Sequence, residues 1–195
     1  MPHVNAADSV LLVIDAQDGF YPPTRTDVDH DEKDAALDRV GWVCGVATAI
    51  DVPVVVTEED AAGNGSTAPQ VHRHLPASVP IFDKRVFGAA DQPDIRDAVA
   101  ATGRDVVVLV GMETDICVMH SALGFAEQGR RVVVIHDAVF SAGDAHGHGL
   151  ARLRQERIEL VSAKELYYEW LRDLPTVLAF DAAHPDLASP PGFSL

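Results

Sequence analysis

Six short apolar runs set the rhythm of this chain, each closed by a charge, a glycine or a polar turn. Residues 9–15 read SVLLVID, 52–57 VPVVVT, 79–83 VPIFD, 106–110 VVVLV, 131–135 RVVVI and 158–161 IELV. Continuous β-branched runs of this length suit strands buried on both faces of a parallel sheet. Half-exposed strands would alternate instead. Between the runs the apolar period lengthens to that of a helix. Residues 31–50 place Leu37, Val40, Val43, Cys44 and Ala47 on one face. Residues 93–101 open on Pro93, a favoured first-turn residue. From Cys117 to about residue 128, Val118, Ala122, Phe125 and Ala126 recur at helical spacing. Further helices run from near His146 to about Arg157 and over 163–171, the latter carrying Tyr167, Tyr168 and Trp170. The tail ASPPGFSL reads as extended. This alternation predicts a three-layer, doubly wound, Rossmann-like α/β fold. Its sheet is six-stranded and mostly parallel, has helices on both faces, and forms one domain over 1–195.

The ends of the runs carry the candidate chemistry. Asp15 closes the first run, Lys84 follows the third, and Cys117 follows the fourth within the turn GMETDIC. Ligands of open α/β sheets bind just beyond the carboxyl ends of the strands, so the topology brings these three to one edge. A cysteine in a helix's first turn meets unpaired N–H groups and the positive end of the dipole, which favour a thiolate. Cys117 reads equally as a small core residue on placement alone, and Asp15 as a cap of the turn AQDGFYPP. Together the three types make chemical sense. A thiol attacks a carbonyl as thiolate, Lys84 steadies the anion, and Asp15 takes a proton and later returns it to a leaving amine. Glu58, Glu59 and Asp60 close the second run, and either glutamate could meet an amide or cationic group of a substrate. The polar loop 61–80 that follows is long enough to be an active-site loop.

Composition narrows the partners. Fifteen Lys and Arg stand against thirty Asp and Glu, a net charge of −15. That argues against nucleic acid and anionic membrane as partners, and leaves a small-molecule substrate. No apolar run is long enough to span a bilayer. The opening MPHVNAADSV has neither region of a secretory signal, and two cysteines make no disulfide framework. A cytoplasmic setting is expected. His72 with His74, and His146 with His148, pair without a completing ligand pattern, so no metal is expected. G-x-S-x-G is absent, as is G-x-G-x-x-G after the first strand, and no cofactor is implied.

Three segments resemble the isochorismatase-like cysteine hydrolases, which include nicotinamidase, N-carbamoylsarcosine amidase, ureidoacrylate and biuret amidohydrolases, and isochorismatase itself. They are VLLVIDAQDGF, FDKRVFGA and VVLVGMETDICVMHSA. The resemblance spans nearly the whole chain. It implies an Asp15, Lys84, Cys117 triad that cleaves a C–N bond of a small amide or ureide through a thioester. It also implies a cis peptide at Met112–Glu113, an oxyanion hole from the N–H groups of Glu113 and Cys117, and a homo-oligomer. Gln17, Phe20 and Phe87, together with Glu58, fall where the substrate pocket would be. The Asp-x-His metal site that nicotinamidases share is replaced by TEEDAAG, so nicotinamide and a metal are not expected. Two alternatives stay open: a non-covalent vinyl-ether hydrolase that uses Asp15, and a non-catalytic binding protein on the same fold.

Overall fold

The structure, a computed structural model, describes residues 2–192. Its strands are β1 (Ser9–Ile14), β2 (Val54–Glu59), β3 (Ile81–Lys84), β4 (Val106–Met112), β5 (Arg131–Phe140) and β6 (Glu159–Val161). All neighbours pair in parallel, in the order β3-β2-β1-β4-β5-β6. The helices are α1 (His30–Ala49), α2 (Ala61–Asn64), α3 (Pro69–His72), α4 (Pro93–Ala101), α5 (Met119–Glu127), α6 (Asp144–Gln155), α7 (Ala163–Leu171) and α8 (Leu174–Ala183). None of them is long and apolar enough to cross a membrane.

Side-chain alternation along the central strands divides the core in two. Leu11 and Val13 of β1, with Val106, Val108 and Val110 of β4, face α1 and α7. Val10, Leu12 and Ile14, with Val107 and Leu109, face α4, α5 and α6. Every residue of β1 and β4 is buried. This is why both runs lack polar alternation: each side chain meets a helix layer, worth about 1.5–3 kcal/mol per large residue.

The chain winds outward from β1 through β2 to β3, then returns beside β1 to begin β4. The strand order therefore reverses between β1 and β4, and a crevice opens beyond their carboxyl ends. Gly111 allows a close approach there. Its φ is 115°, and a Cβ on it would lie 1.9 Å from the carbonyl oxygen of Ile14.

Three elements depart from the sequence reading. β5 continues past Ile135 to Phe140, because a register shift opposite Leu109 and Gly111 lets Val139 and Phe140 resume pairing with Gly111 and Met112. The helix expected from Cys117 starts at Met119. Residues Thr114–Val118 form a π turn, closed by the Val118 N–H donating to the Glu113 carbonyl at 3.0 Å. Neither Thr114 nor Asp115 caps a helix; their side chains bond His146 and Ser141 instead. Finally, α8 follows α7 directly, with Val177 and Phe180 in the α1-side core.

Candidate active site

The switch-point crevice gathers side chains from β1, β2, β3 and the π turn. Asp15 follows β1 in a left-handed conformation, φ 45°, which turns its carboxylate back over the strand ends. Thr57, on β2, donates its hydroxyl to Asp15 Oδ1 at 2.7 Å. Lys84 ends β3, two strands from β1. Its long side chain crosses the end of β2 to bring Nζ within 2.9 Å of Asp15 Oδ2 and 3.5 Å of Cys117 Sγ. The carbonyls of Val86 and Phe87 accept from the same ammonium at 2.6 and 3.2 Å. Asp15 and Lys84 are fully buried, and Cys117 nearly so.

An ammonium has three N–H bonds, and here it has four acceptors around it. Asp15 Oδ2 is the ion-pair partner of Lys84 at 2.9 Å. Burial raises the Asp15 carboxyl above its ordinary range, opposed by Lys84 and by hydrogen bonds from Lys84 and Thr57. Burial also pushes the Cys117 thiol up to about 12, with the Asp15 charge adding to the rise and Lys84 opposing it. This corrects the expectation of a thiolate favoured by a helix start. The cysteine sits inside a π turn in a closed core, and desolvation outweighs the cation. Burial and the Asp15 charge both favour the protonated thiol.

The π turn is fixed from both sides. Ser121 on α5 donates to the Cys117 carbonyl at 2.6 Å and accepts from the Ala89 N–H at 2.9 Å, tying the loop after Lys84 to the cysteine. On the other side Thr114 bonds His146 Nδ1 at 3.0 Å, and Ser141 donates to Asp115 Oδ1 at 2.6 Å. The peptide Met112–Glu113 is cis. Tyr21 donates to Glu113 Oε1 at 2.5 Å. A cavity of about 350 Å³ lined by Glu32, Arg39, His136, Asp137 and His146 lies behind this turn, and the triad does not line it.

The remaining predicted residues take distinct places. Gln17 is spent on backbone: it accepts from the Glu59 N–H at 2.7 Å and donates to the carbonyls of Glu59 and Gly65 at 3.2 and 2.6 Å. Glu58 points away from the crevice and accepts from the N–H and hydroxyl of Thr67, both at 2.7 Å. Phe20 packs against the α1-side core. Phe87 is 54% exposed at the rim, its ring against His120. Glu59 is the acid that reaches the site, with carboxylate oxygens of Asp15 and Glu59 and the sulfur of Cys117 all within 4.8 Å of one another. Among the described residues this is the group with metal-like spacing, but the ammonium of Lys84 already stands where a cation would bind Asp15. His72 and His74 lie elsewhere, on α3 and just after it.

The isochorismatase domain family matches residues 9–165. The probable hydrolase YcaC of Escherichia coli is 27% identical over 186 residues, covering 92% of this chain and 88% of that protein. Among solved structures, the MAR1 ribonuclease of Caenorhabditis elegans superposes with a TM-score of 0.83 at 23% identity, covering 100% of this chain and 98% of that one. The E. coli YcaC structure, described as an octameric hydrolase of unknown specificity, gives 0.80 at 24% identity, with 96% and 93% covered. These likenesses establish a shared fold.

Proposed function

The chain belongs to the isochorismatase family, and from that membership we propose that it is a cysteine hydrolase cleaving the C–N bond of a small amide or ureide. The observation that carries this reading is the buried contact of Asp15 Oδ2, Lys84 Nζ and Cys117 Sγ at the switch point. Burial favours the protonated thiol, and in this reading attack and proton transfer are coupled. Cys117 Sγ bonds to the carbonyl carbon as its proton passes to Asp15 Oδ2. N–H groups of Glu113 and Cys117 receive the oxyanion. Asp15 then protonates the leaving nitrogen as the C–N bond breaks, leaving a thioester. Water attacks the thioester, Asp15 takes its proton, and Cys117 departs with that proton as the acid is released. Lys84 holds Asp15 in place and offsets the negative charge developing on sulfur.

The high thiol pKa also favours a second reading, in which Asp15 acts as general acid in a non-covalent hydrolysis and Cys117 stands by. Intact-protein mass spectrometry separates the two. Incubation with a panel of small amides and ureides is expected to give an acyl adduct or product in the wild type. In Cys117→Ala the adduct vanishes and turnover falls on the order of 10⁴-fold or more. Turnover that survives this substitution overturns the covalent reading. The octameric YcaC further supports self-association of this chain.

A further inference from the structure

The charge inventory of the crevice leaves one group unaccounted for. Two carboxylates and a thiol face a single ammonium, and that ammonium is spent on Asp15, on two carbonyls and on sulfur. Among the described residues, the Glu59 carboxylate accepts no hydrogen bond and forms no ion pair. Arg85, next to Lys84, is engaged elsewhere, with Asp60 at 2.7 Å and Asp83 at 2.8 Å. Glu59 is also not loose. Gln17 grips both its N–H and its carbonyl, and Asn64 donates to the same carbonyl at 3.0 Å. Parallel pairing sets Glu59 opposite Lys84. Strand alternation turns it to the same face as Thr57, which holds Asp15, while Glu58 turns to the other. The fold thus aims a half-buried carboxylate, which shares the charge of Lys84 with Asp15, at the place where a substrate would sit on sulfur.

We propose that Glu59 determines specificity by drawing a positively charged, N–H-bearing group (an ammonium, amidinium or guanidinium) to the Cys117 thiol, so that the preferred substrate is a cationic amide or ureide. With 4.8 Å as the upper limit of its distance to sulfur, the carboxylate is in hydrogen-bond reach of a nitrogen on, or next to, the attacked carbon. An anionic substrate would meet both carboxylates and be repelled. The proposal rests on the hydrolase reading for its chemistry, but its test does not need turnover.

The test measures the rate of mixed-disulfide formation at Cys117 with three methanethiosulfonates, bearing aminoethyl, trimethylammonioethyl and sulfonatoethyl groups, followed by intact mass. In each the thiolate displaces methanesulfinate. The wild type is expected to favour the aminoethyl over the sulfonatoethyl reagent, and Glu59→Gln to lower that ratio by about tenfold. Glu59→Asp should retain part of the ratio. Asp105→Asn removes a remote exposed charge and should leave it unchanged. A fall confined to the aminoethyl reagent assigns the effect to N–H donation; a fall shared with the trimethylammonium reagent assigns it to charge, and both support the proposal. A ratio unmoved in Glu59→Gln, or a wild-type preference for the anion, overturns it. Labelling by none of the reagents until the protein unfolds overturns both this and the hydrolase reading. A ratio that behaves as stated while turnover proves independent of Cys117 overturns the hydrolase reading alone.

Discussion

At the scale of single residues, the site runs on desolvation. Cys117, raised to about 12, should be alkylated slowly by acrylamide at pH 7. The rate should rise about tenfold per pH unit up to pH 9.5, since only thiolate reacts. A plateau near pH 8 would contradict this. Lys84→Met leaves Asp15 buried without its cation and should cost about 3 kcal/mol in denaturant unfolding. The sign with pH follows from Asp15. Burial already raises Asp15 in the wild type, and losing the counter-charge raises it further, so the variant's folded state takes up the proton at higher pH. The deficit against wild type should therefore shrink as pH falls toward 5. That Asp15, Lys84 and Cys117 meet was legible in the sequence, because each follows an apolar run on the carboxyl edge of the sheet. Glu59 was legible only in part. Two adjacent acids end β2. Alternation puts Glu59 with Thr57, but nothing in the sequence says that this face, rather than that of Glu58, turns toward Asp15 and Cys117.

At the scale of elements, apolar runs located all six strands, because burial on both faces leaves an unmistakable pattern. The pattern failed where burial resumes after a polar interruption. The segment AVF after Asp137 reads as the start of a loop, yet Val139 and Phe140 rejoin β4 beyond a register shift. The π turn was invisible for another reason. Its geometry is set by what packs on it rather than by its own residues. Gly149 on α6 is the tightest such contact, since a Cβ there would stand 2.8 Å from the backbone N and Cα of Asp115. Gly149→Ala should cost about 1–3 kcal/mol and lower Cys117 reactivity, because the backbone it strikes belongs to the turn that carries Cys117. Gly147, in the same helix, has nothing within 4 Å of its added Cβ. Gly147→Ala should raise stability by about 0.5–1 kcal/mol with reactivity unchanged. Thermal melts and alkylation rates of the two variants side by side check both statements.

At the scale of the whole molecule, fold class followed from alternation alone, while the order of the edge strands and α8 did not. LPTVLAFDAA, which the sequence reading leaves unassigned, is a helix whose Leu174 and Leu178 are exposed and whose Val177 and Phe180 reach the core. A charge of −15 opposes any association of copies, and salt screens that repulsion within about 10 Å at 0.1 M. The proposed self-association should therefore strengthen between 20 and 300 mM salt, on the order of those laboratory ranges, in sedimentation velocity. A single-chain mass at all salt concentrations would remove it. The burial of Lys84 has one more consequence. The chain has three lysines, Lys33, Lys84 and Lys164, and the amine of Lys84 is shut in by β1, the 85–88 turn and the π turn. An amine-acylating reagent can reach it only when those pieces part. Peptide-resolved acylation at Lys84 is thus a clock for the opening of the catalytic centre itself, read in a protein that is otherwise folded and without any knowledge of its substrate.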